Sequence, residues 1–167
     1  ALSTLNPNHR TNMQHVQQMI EEHGGFEAVR QNYLRIENEP FMRLVIEVIG
    51  GPYPNGASEV SVAHYGEQNG DAMRDPEITF LVGQSATGWE WSPLTFLNDY
   101  VGCYQVACEV DTNGLQRVKD ARLMRELQEF AAQWDLNIKP QGFVDAFRRK
   151  YGRTSQGAAN GATPVLS

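Results

Sequence analysis

Alternating apolar and polar positions predict several extended strands in the middle of the chain. In residues 41–49 the apolar side chains fall mainly on one side, while the charged Arg43 and Glu47 fall on the other, as in a strand with one buried face. The same two-residue period recurs over 59–65, 78–82 and 101–110. The connections are short and rich in turn-forming residues, which favours antiparallel neighbours because parallel strands need long crossovers.

Helical periodicity flanks the strands on both sides. Thr11 and Gln14 match a capping box that opens an N-terminal helix. At the other end, an apolar stripe of period three to four runs from Leu115 to Trp134, and a shorter helix follows Pro140. We therefore predict an α+β fold, in which an antiparallel meander sheet of four to five strands carries the N-terminal and C-terminal helices packed on one face.

The extent of the periodic pattern predicts a single domain. Periodicity covers residues 12–151, so we expect one α+β domain there, a flexible N-terminus over 1–11 and a flexible C-terminal tail over 152–167. The chain contains no apolar run long enough to span a bilayer and no charged-then-apolar leader, so we expect no membrane association and a cytoplasmic location. Two cysteines five residues apart, Cys103 and Cys108, predict no disulfide.

Charge is distributed unevenly along the chain. The net charge is −6, but residues 41–111 carry two basic and ten acidic side chains, a net of −8. Residues 112–167 carry nine basic and five acidic side chains, a net of +4. An acidic centre repels a phosphate backbone, so any nucleic acid is expected to bind through the C-terminal part.

The acidic side chains are densest between His64 and Glu77, which we interpret as a hairpin with a loop over 66–76 and a turn at Asn69-Gly70. Such a cluster can serve as a structural or recognition element, as an Mg²⁺ or Mn²⁺ site, or as the acid and base of a hydrolase. No lysine lies between residues 41 and 111 to support developing charge. The candidate metal or recognition residues are Glu47, His64, Glu67, Asp71, Asp75 and Glu77. For His64 a second interpretation is favoured, because it shares a strand face with Val60 and Val62, which is typical of a core or boundary histidine.

Two further patterns suggest contacts with a partner. Trp89 and Trp91 point the same way from an extended segment and are a candidate aromatic surface, or they cap the core beside the C-terminal helix. A run of cations near the C-terminus is a candidate contact for phosphate or an acidic partner, although cations at a helix end also stabilise the helix dipole. That run consists of Arg148, Arg149, Lys150 and Arg153.

Two phrases carry a resemblance to a known family. Residues 33–47 and especially 65–77, Tyr-Gly-Glu-Gln-Asn-Gly-Asp-Ala-Met-Arg-Asp-Pro-Glu, resemble a family of small uncharacterised proteins of bacteria, plasmids and phages that is known only as a domain of unknown function. The resemblance covers about residues 30–110. It implies a mobile-element or accessory setting, and it implies no catalytic residues.

These patterns favour a non-enzymatic accessory domain that binds a macromolecule, most simply a protein, through the acidic sheet edge and hairpin. Two alternatives stay open. One is a metal-dependent hydrolase or nuclease that uses the acidic hairpin with Mg²⁺ or Mn²⁺, whereas the accessory domain is expected to need no cofactor. The other is a DNA-binding accessory that uses the basic C-terminus.

Overall fold

Helices lie at both ends of the described chain, and strands fill the middle. A computed structural model describes residues 13–152. The helices are α1 (Gln14–His23), α2 (Phe26–Gln31), α3 (Ala121–Ile138) and α4 (Phe143–Phe147), and a π-helical turn over Arg148–Gly152 follows α4. The strands are β1 (Leu34–Asn38), β2 (Phe41–Gly50), β3 (Ser58–Gln68), β4 (Asp71–Ser85), β5 (Gly88–Asn98), β6 (Cys103–Val106), β7 (Cys108–Val110) and β8 (Gln116–Val118).

The main sheet is an antiparallel meander in the order β1-β2-β3-β4-β5-β6. The predicted α+β class and the antiparallel meander are confirmed, but the sheet has six strands rather than four to five. Residues 34–38 account for the difference, because they form a full edge strand. The predicted strand over 101–110 breaks at Ala107 into β6 of this sheet and β7 of a separate two-stranded sheet.

One face of the sheet, here called the inner face, joins the helices in a single apolar core. Its rows follow the strand register, as in Ile46 opposite Val62 and Val62 opposite Ile78, and these side chains are fully buried. Residues of α1, α3 and α4 belong to the same cluster, including Val16, Leu127 and Phe143. Helices from both ends of the chain therefore cover the inner face, as two-layer packing of an amphipathic sheet requires.

The segment after β7 differs from its prediction. The long helix was expected to begin at Leu115, but residues 116–118 form β8, which pairs with β7. The helix begins at Ala121, after Asp120 accepts a hydrogen bond from the Leu123 amide as its N-cap. The predicted start of the helix is wrong because Leu115 and Val118 fit the helical period, although they lie exposed in the small β7–β8 hairpin.

The helices of residues 13–152 include none long and apolar enough to cross a membrane.

Candidate functional site

The acidic segment forms a hairpin that projects beyond the sheet. Asn69-Gly70 makes the tight turn, both with positive φ, as predicted from the Asn-Gly pair. The predicted loop over 66–76 is wrong, because β3 and β4 pair through Gln68 opposite Asp71. The register of β2 with β3 ends at Arg43 opposite Tyr65, and that of β5 with β4 ends at Leu97 opposite Glu77. Residues 66–73 therefore pair only with each other, and we call them the hairpin arm.

The base of the hairpin arm is held by side chains of the β5–β6 turn. Arg74 donates to Asp99 through its backbone amide at 2.8 Å and through Nε at 2.9 Å, and Asp99 returns a backbone bond to the Arg74 carbonyl. The bond from the Arg74 side chain lowers the pKa of the Asp99 carboxyl. Asn98 donates to the Asp75 carboxylate at 2.6 Å. The arm is thus a braced extension rather than a free loop.

The candidate carboxylates of the hairpin are spread out. Glu67 and Asp71 lie exposed in the hairpin arm, whereas Asp75 is held by Asn98 at its base. Glu77 accepts from the Ser61 hydroxyl at 2.7 Å and lies 3.5 Å from Arg74. Across residues 13–152, no three His, Cys, Asp or Glu side chains lie close enough together to hold a metal ion.

The sheet face opposite the helices, here called the open face, carries charged and hydroxyl side chains. On β1–β3 a cleft of about 220 Å³ is lined by Tyr33, Arg35, Arg43, Val45, Glu47 and Tyr65. Arg43 lies over the Tyr65 ring at 5.4 Å, a cation–π geometry. Burial raises the pKa of Tyr65, and the nearby Glu77 and Glu47 carboxylates raise it further. Candidate residues Glu47 and Glu77 therefore belong to the open face, next to the hairpin arm.

His64 lies on the inner face, away from the carboxylates it was grouped with. Its Nδ1 is 3.0 Å from the Met42 carbonyl, and its Nε2 accepts from Trp134 Nε1 at 2.8 Å. Since the indole can only donate, Nε2 is the acceptor and the ring is neutral with its proton on Nδ1. The aromatic ring of Phe143 packs beside it, with centroids 5.3 Å apart. His64 thus links the sheet to α3 and α4 as a half-buried residue at the border of the core.

This geometry predicts a pH-dependent loss of stability. Burial lowers the pKa of His64 below its usual 6.5. Above about pH 6.5 both the folded and the unfolded state hold a neutral ring. Below it only the unfolded state binds the proton, so the free energy of unfolding falls by at most about 1.4 kcal/mol per pH unit until the folded pKa is reached.

Urea unfolding of wild type and His64→Gln between about pH 5 and pH 8 would measure this effect. Glutamine stays neutral and can keep both hydrogen bonds. We expect the variant to be less sensitive to acid than wild type. Burial also lowers the pKa of His23, which contributes in the same direction in both proteins and cancels in the comparison. Parallel pH profiles would contradict the assignment of a neutral, half-buried His64.

The two candidate tryptophans belong to the N-terminal side of the core. Trp91 is 3% exposed and donates to Gln17 Oε1 at 2.8 Å, and Trp89 packs on Phe26 with ring centroids 4.8 Å apart. They point the same way, as expected, but they pack against α1 and α2 rather than beside the C-terminal helix. Trp91 is therefore a core residue, while the half-buried Trp89 lines a cleft of about 360 Å³ beside α1.

The basic run is largely engaged within the chain. Arg148 forms a two-pronged ion pair with Glu22, both contacts at 3.1 Å. Lys150 donates to the Arg35 carbonyl at 2.7 Å. Arg149 is exposed, and Arg153 lies outside the described residues. Two of the three described cations thus attach the π-helical turn to α1 and β1.

Comparison with known proteins places the chain in a family. The sequence profile of a domain of unknown function (DUF6908) matches residues 14–144, more than half of the 167-residue chain. The chain belongs to this family. No curated protein and no solved structure matches it. The match runs from the start of α1 to the first two residues of α4, and it includes the whole sheet and the hairpin arm.

Sequence reasoning missed the residues that support the arm. Asp99 and Asn98 lie about 25 positions after their partners and are ordinary turn residues in the sequence. Their role follows only from the meander, which brings the β5–β6 turn beside the base of the β3–β4 hairpin. The one available signal was the charge count, because residues 41–111 carry ten acidic and only two basic side chains. Both basic residues, Arg43 and Arg74, lie next to Tyr65 at the base of the hairpin arm.

Proposed function

We propose that this DUF6908 domain binds a partner protein through the hairpin arm and the open face beside it. The observation that carries the proposal is the arm itself: residues 66–73 pair only with each other and extend a braced hairpin into solvent. The arm contributes little to the core, because residues 67–72 are all exposed. A preorganised projection loses little conformational entropy on binding, which favours recognition.

The charge of the arm indicates the kind of surface it would recognise. Glu67 and Asp71 stand near its tip, and no described cation lies within hydrogen-bonding or ion-pairing distance of either. Arg74 at the base is already engaged by Asp99 and Glu77. The arm therefore presents an uncompensated negative charge that a basic protein surface would complement. The resemblance to plasmid and phage proteins suggests that the partner is a host protein or a product of the same mobile element.

Capture from a cytosolic lysate of the source organism would test this function. We compare the immobilised wild type with Glu67→Gln/Asp71→Asn, which removes both charges of the arm. The matched control is Glu126→Gln/Glu129→Gln, the same charge change on exposed positions of α3. We expect the arm variant to lose captured proteins by about tenfold, as for charges at a recognition surface, while its melting temperature stays at the wild-type value. The control should capture as wild type does.

Equal capture by wild type and the arm variant would contradict the proposed function. Equal losses in the arm variant and the α3 control would also contradict it, because they would indicate a general effect of net charge. Since residues 67–72 and the α3 positions Glu126 and Glu129 are exposed, neither variant disturbs buried contacts, and thermal unfolding would verify that both are folded.

A further inference from the structure

The two edge strands of the sheet differ in how their outer backbone groups are used. On β1, the Arg35 amide donates to the Tyr151 hydroxyl at 3.0 Å, and the Arg35 carbonyl accepts from Lys150 Nζ at 2.7 Å. Side chains of the π-helical turn therefore occupy this edge. Covering an edge in this way prevents another strand from pairing with it.

The edge at β6 has no such cover within residues 13–152. The Ala107 amide donates to the Leu94 carbonyl at 2.8 Å. This bond fixes which residue pairs of β5 and β6 are hydrogen-bonded and which are not, because the two kinds alternate along an antiparallel pair. With Thr95 opposite Val106 and Leu97 opposite Tyr104, the amides and carbonyls of Tyr104 and Val106 face away from β5. No hydrogen bond from another part of the described chain reaches them.

The side chains on this edge permit pairing. Residues 103–106 include no proline and no charged residue, which are the features that commonly block edge strands. Tyr104 is 63% exposed, and Val101 in the preceding turn is 74% exposed. An incoming extended segment would thus find backbone partners and apolar surface together, in the manner of strand addition.

A cleft of about 400 Å³ adjoins this edge on the open face, between the sheet and β7. Tyr104, Val106, Leu94 and Val110 give it apolar walls, and the Thr79 and Thr95 hydroxyls and the Glu59 carboxylate add acceptors. Glu59 accepts from the Tyr53 hydroxyl at 2.6 Å, and no described cation pairs with it. Apolar walls with a carboxylate suit a long basic side chain, whose stem packs while its head is hydrogen-bonded.

We propose that β6 receives an extended segment of the partner protein, and that a lysine or arginine side chain of this segment enters the cleft toward Glu59. This inference rests on the proposed function and names the part of the partner that the sheet edge would recognise. Backbone pairing with Tyr104 and Val106 supplies affinity, and the cleft supplies selectivity for the basic side chain.

A second copy of the chain fits this edge less well. A four-residue strand paired with itself buries far less than the roughly 1,000 Å² of a specific interface. Residues 103–106 also offer no lysine or arginine to the cleft of a neighbouring copy. The cleft chemistry therefore favours a different chain.

Fluorescence anisotropy with the full chain and a labelled peptide, acetyl-Thr-Val-Thr-Lys-Thr-Val-Thr-amide, would test the inference. We expect weak, saturable binding with Kd below about 1 mM. Only one edge of an extended peptide can face β6. Two peptides are therefore compared, one N-methylated at its odd-numbered residues and one at its even-numbered residues. The peptide whose methyl groups face β6 should bind about tenfold more weakly, and the other should bind as the unmethylated peptide does. Replacing the peptide lysine by norleucine should weaken binding about tenfold, and Glu59→Gln in the protein should do the same. The norleucine peptide should bind the Glu59→Gln variant no more weakly than it binds wild type, because both changes remove the same contact.

Two protein variants separate the edge from the arm. Tyr104→Pro removes an outward-facing amide, a position where proline is tolerated in edge strands, and it should abolish peptide binding. Glu67→Gln/Asp71→Asn should bind the peptide as wild type does. Absence of binding, equal binding of both methylated peptides, or no effect of Glu59→Gln would overturn the inference. Lysate capture that still depends on the arm would then leave the proposed function standing. The methylated peptides decide the matter even if Tyr104→Pro fails to fold.

Discussion

Asp135→Ala is expected to lower the free energy of unfolding by about 2–4 kcal/mol. The Asp135 carboxylate is buried on α3 and accepts from the His15 amide at 3.0 Å and the Val16 amide at 3.3 Å. These are amides of the first turn of α1, which has no side-chain cap of its own at Met13. Removal of the carboxylate leaves the two amides without an acceptor and removes a negative charge from the helix N-terminus.

Burial of the charged Asp135 carboxylate costs free energy, which offsets part of the stabilisation that its hydrogen bonds provide. Burial raises the pKa of Asp135, and the bonds from the His15 backbone oppose that rise. Asp135→Asn keeps an acceptor and removes the buried charge, so we expect a smaller loss of about 1 kcal/mol. The exposed Gln133→Ala on the same helix is the control and should change stability by less than about 0.5 kcal/mol. Urea unfolding at neutral pH would compare the four proteins, and an Asp135→Ala loss as small as the control would contradict the tertiary cap.

This cap illustrates which features of the fold are local. The sequence predicts a capping box at Thr11 and Gln14, and Thr11 lies outside the described residues. The acceptor seen in the structure comes from Asp135, 120 positions away from His15. None of the sequence patterns assigned Asp135 a role, although it follows Ala131 by four positions and so lies on the apolar side of α3. Only the packing of α1 against α3 makes it buried and bonded.

Strand alternation predicted the inner face well, because burial of one sheet face imposes a period of two. The rows through Ile46, Val62 and Ile78 match that period. Prediction failed at the hairpin arm, where glycine, asparagine and acidic residues are typical of loops. There cross-strand pairing overrides composition, since Asn69-Gly70 provides a turn that holds both strands in register.

The candidate site was predictable in location and only partly in chemistry. The acidic density singled out Glu67 and Asp71, which the structure places in the hairpin arm. Sequence reasoning kept His64 among the candidates, although its shared strand face with Val60 and Val62 already favoured a core or boundary histidine, and in the structure it is bonded to Trp134. The cleft beside β6 had no sequence signal, because its walls come from four strands and from β7, which the sequence predicts as the end of one continuous strand with β6.

Gly114→Ala is the second substitution with a large expected effect, about 2–4 kcal/mol of lost stability. Gly114 has φ +86° in the turn of the β7–β8 hairpin, and a Cβ there would lie 2.6 Å from Tyr53 Cβ and would overlap the Asn55 side chain. The positive φ costs alanine about 1–2 kcal/mol, and overpacking adds about 1–3 kcal/mol. Asn55 also donates to the Gly114 carbonyl at 2.8 Å, so the hairpin docks closely on the loop before β3.

Gly56→Ala separates the two causes. Gly56 has the same φ of +86°, but a Cβ there would meet nothing within 4 Å, so we expect a loss of only about 1–2 kcal/mol. The difference between the variants, measured by urea unfolding, reports the contact of the hairpin with Tyr53 and Asn55. Equal losses would mean that the hairpin is not closely docked. Because β7 forms a wall of the cleft beside β6, a displaced hairpin in Gly114→Ala should also weaken binding of the lysine peptide, whereas Gly56→Ala should not.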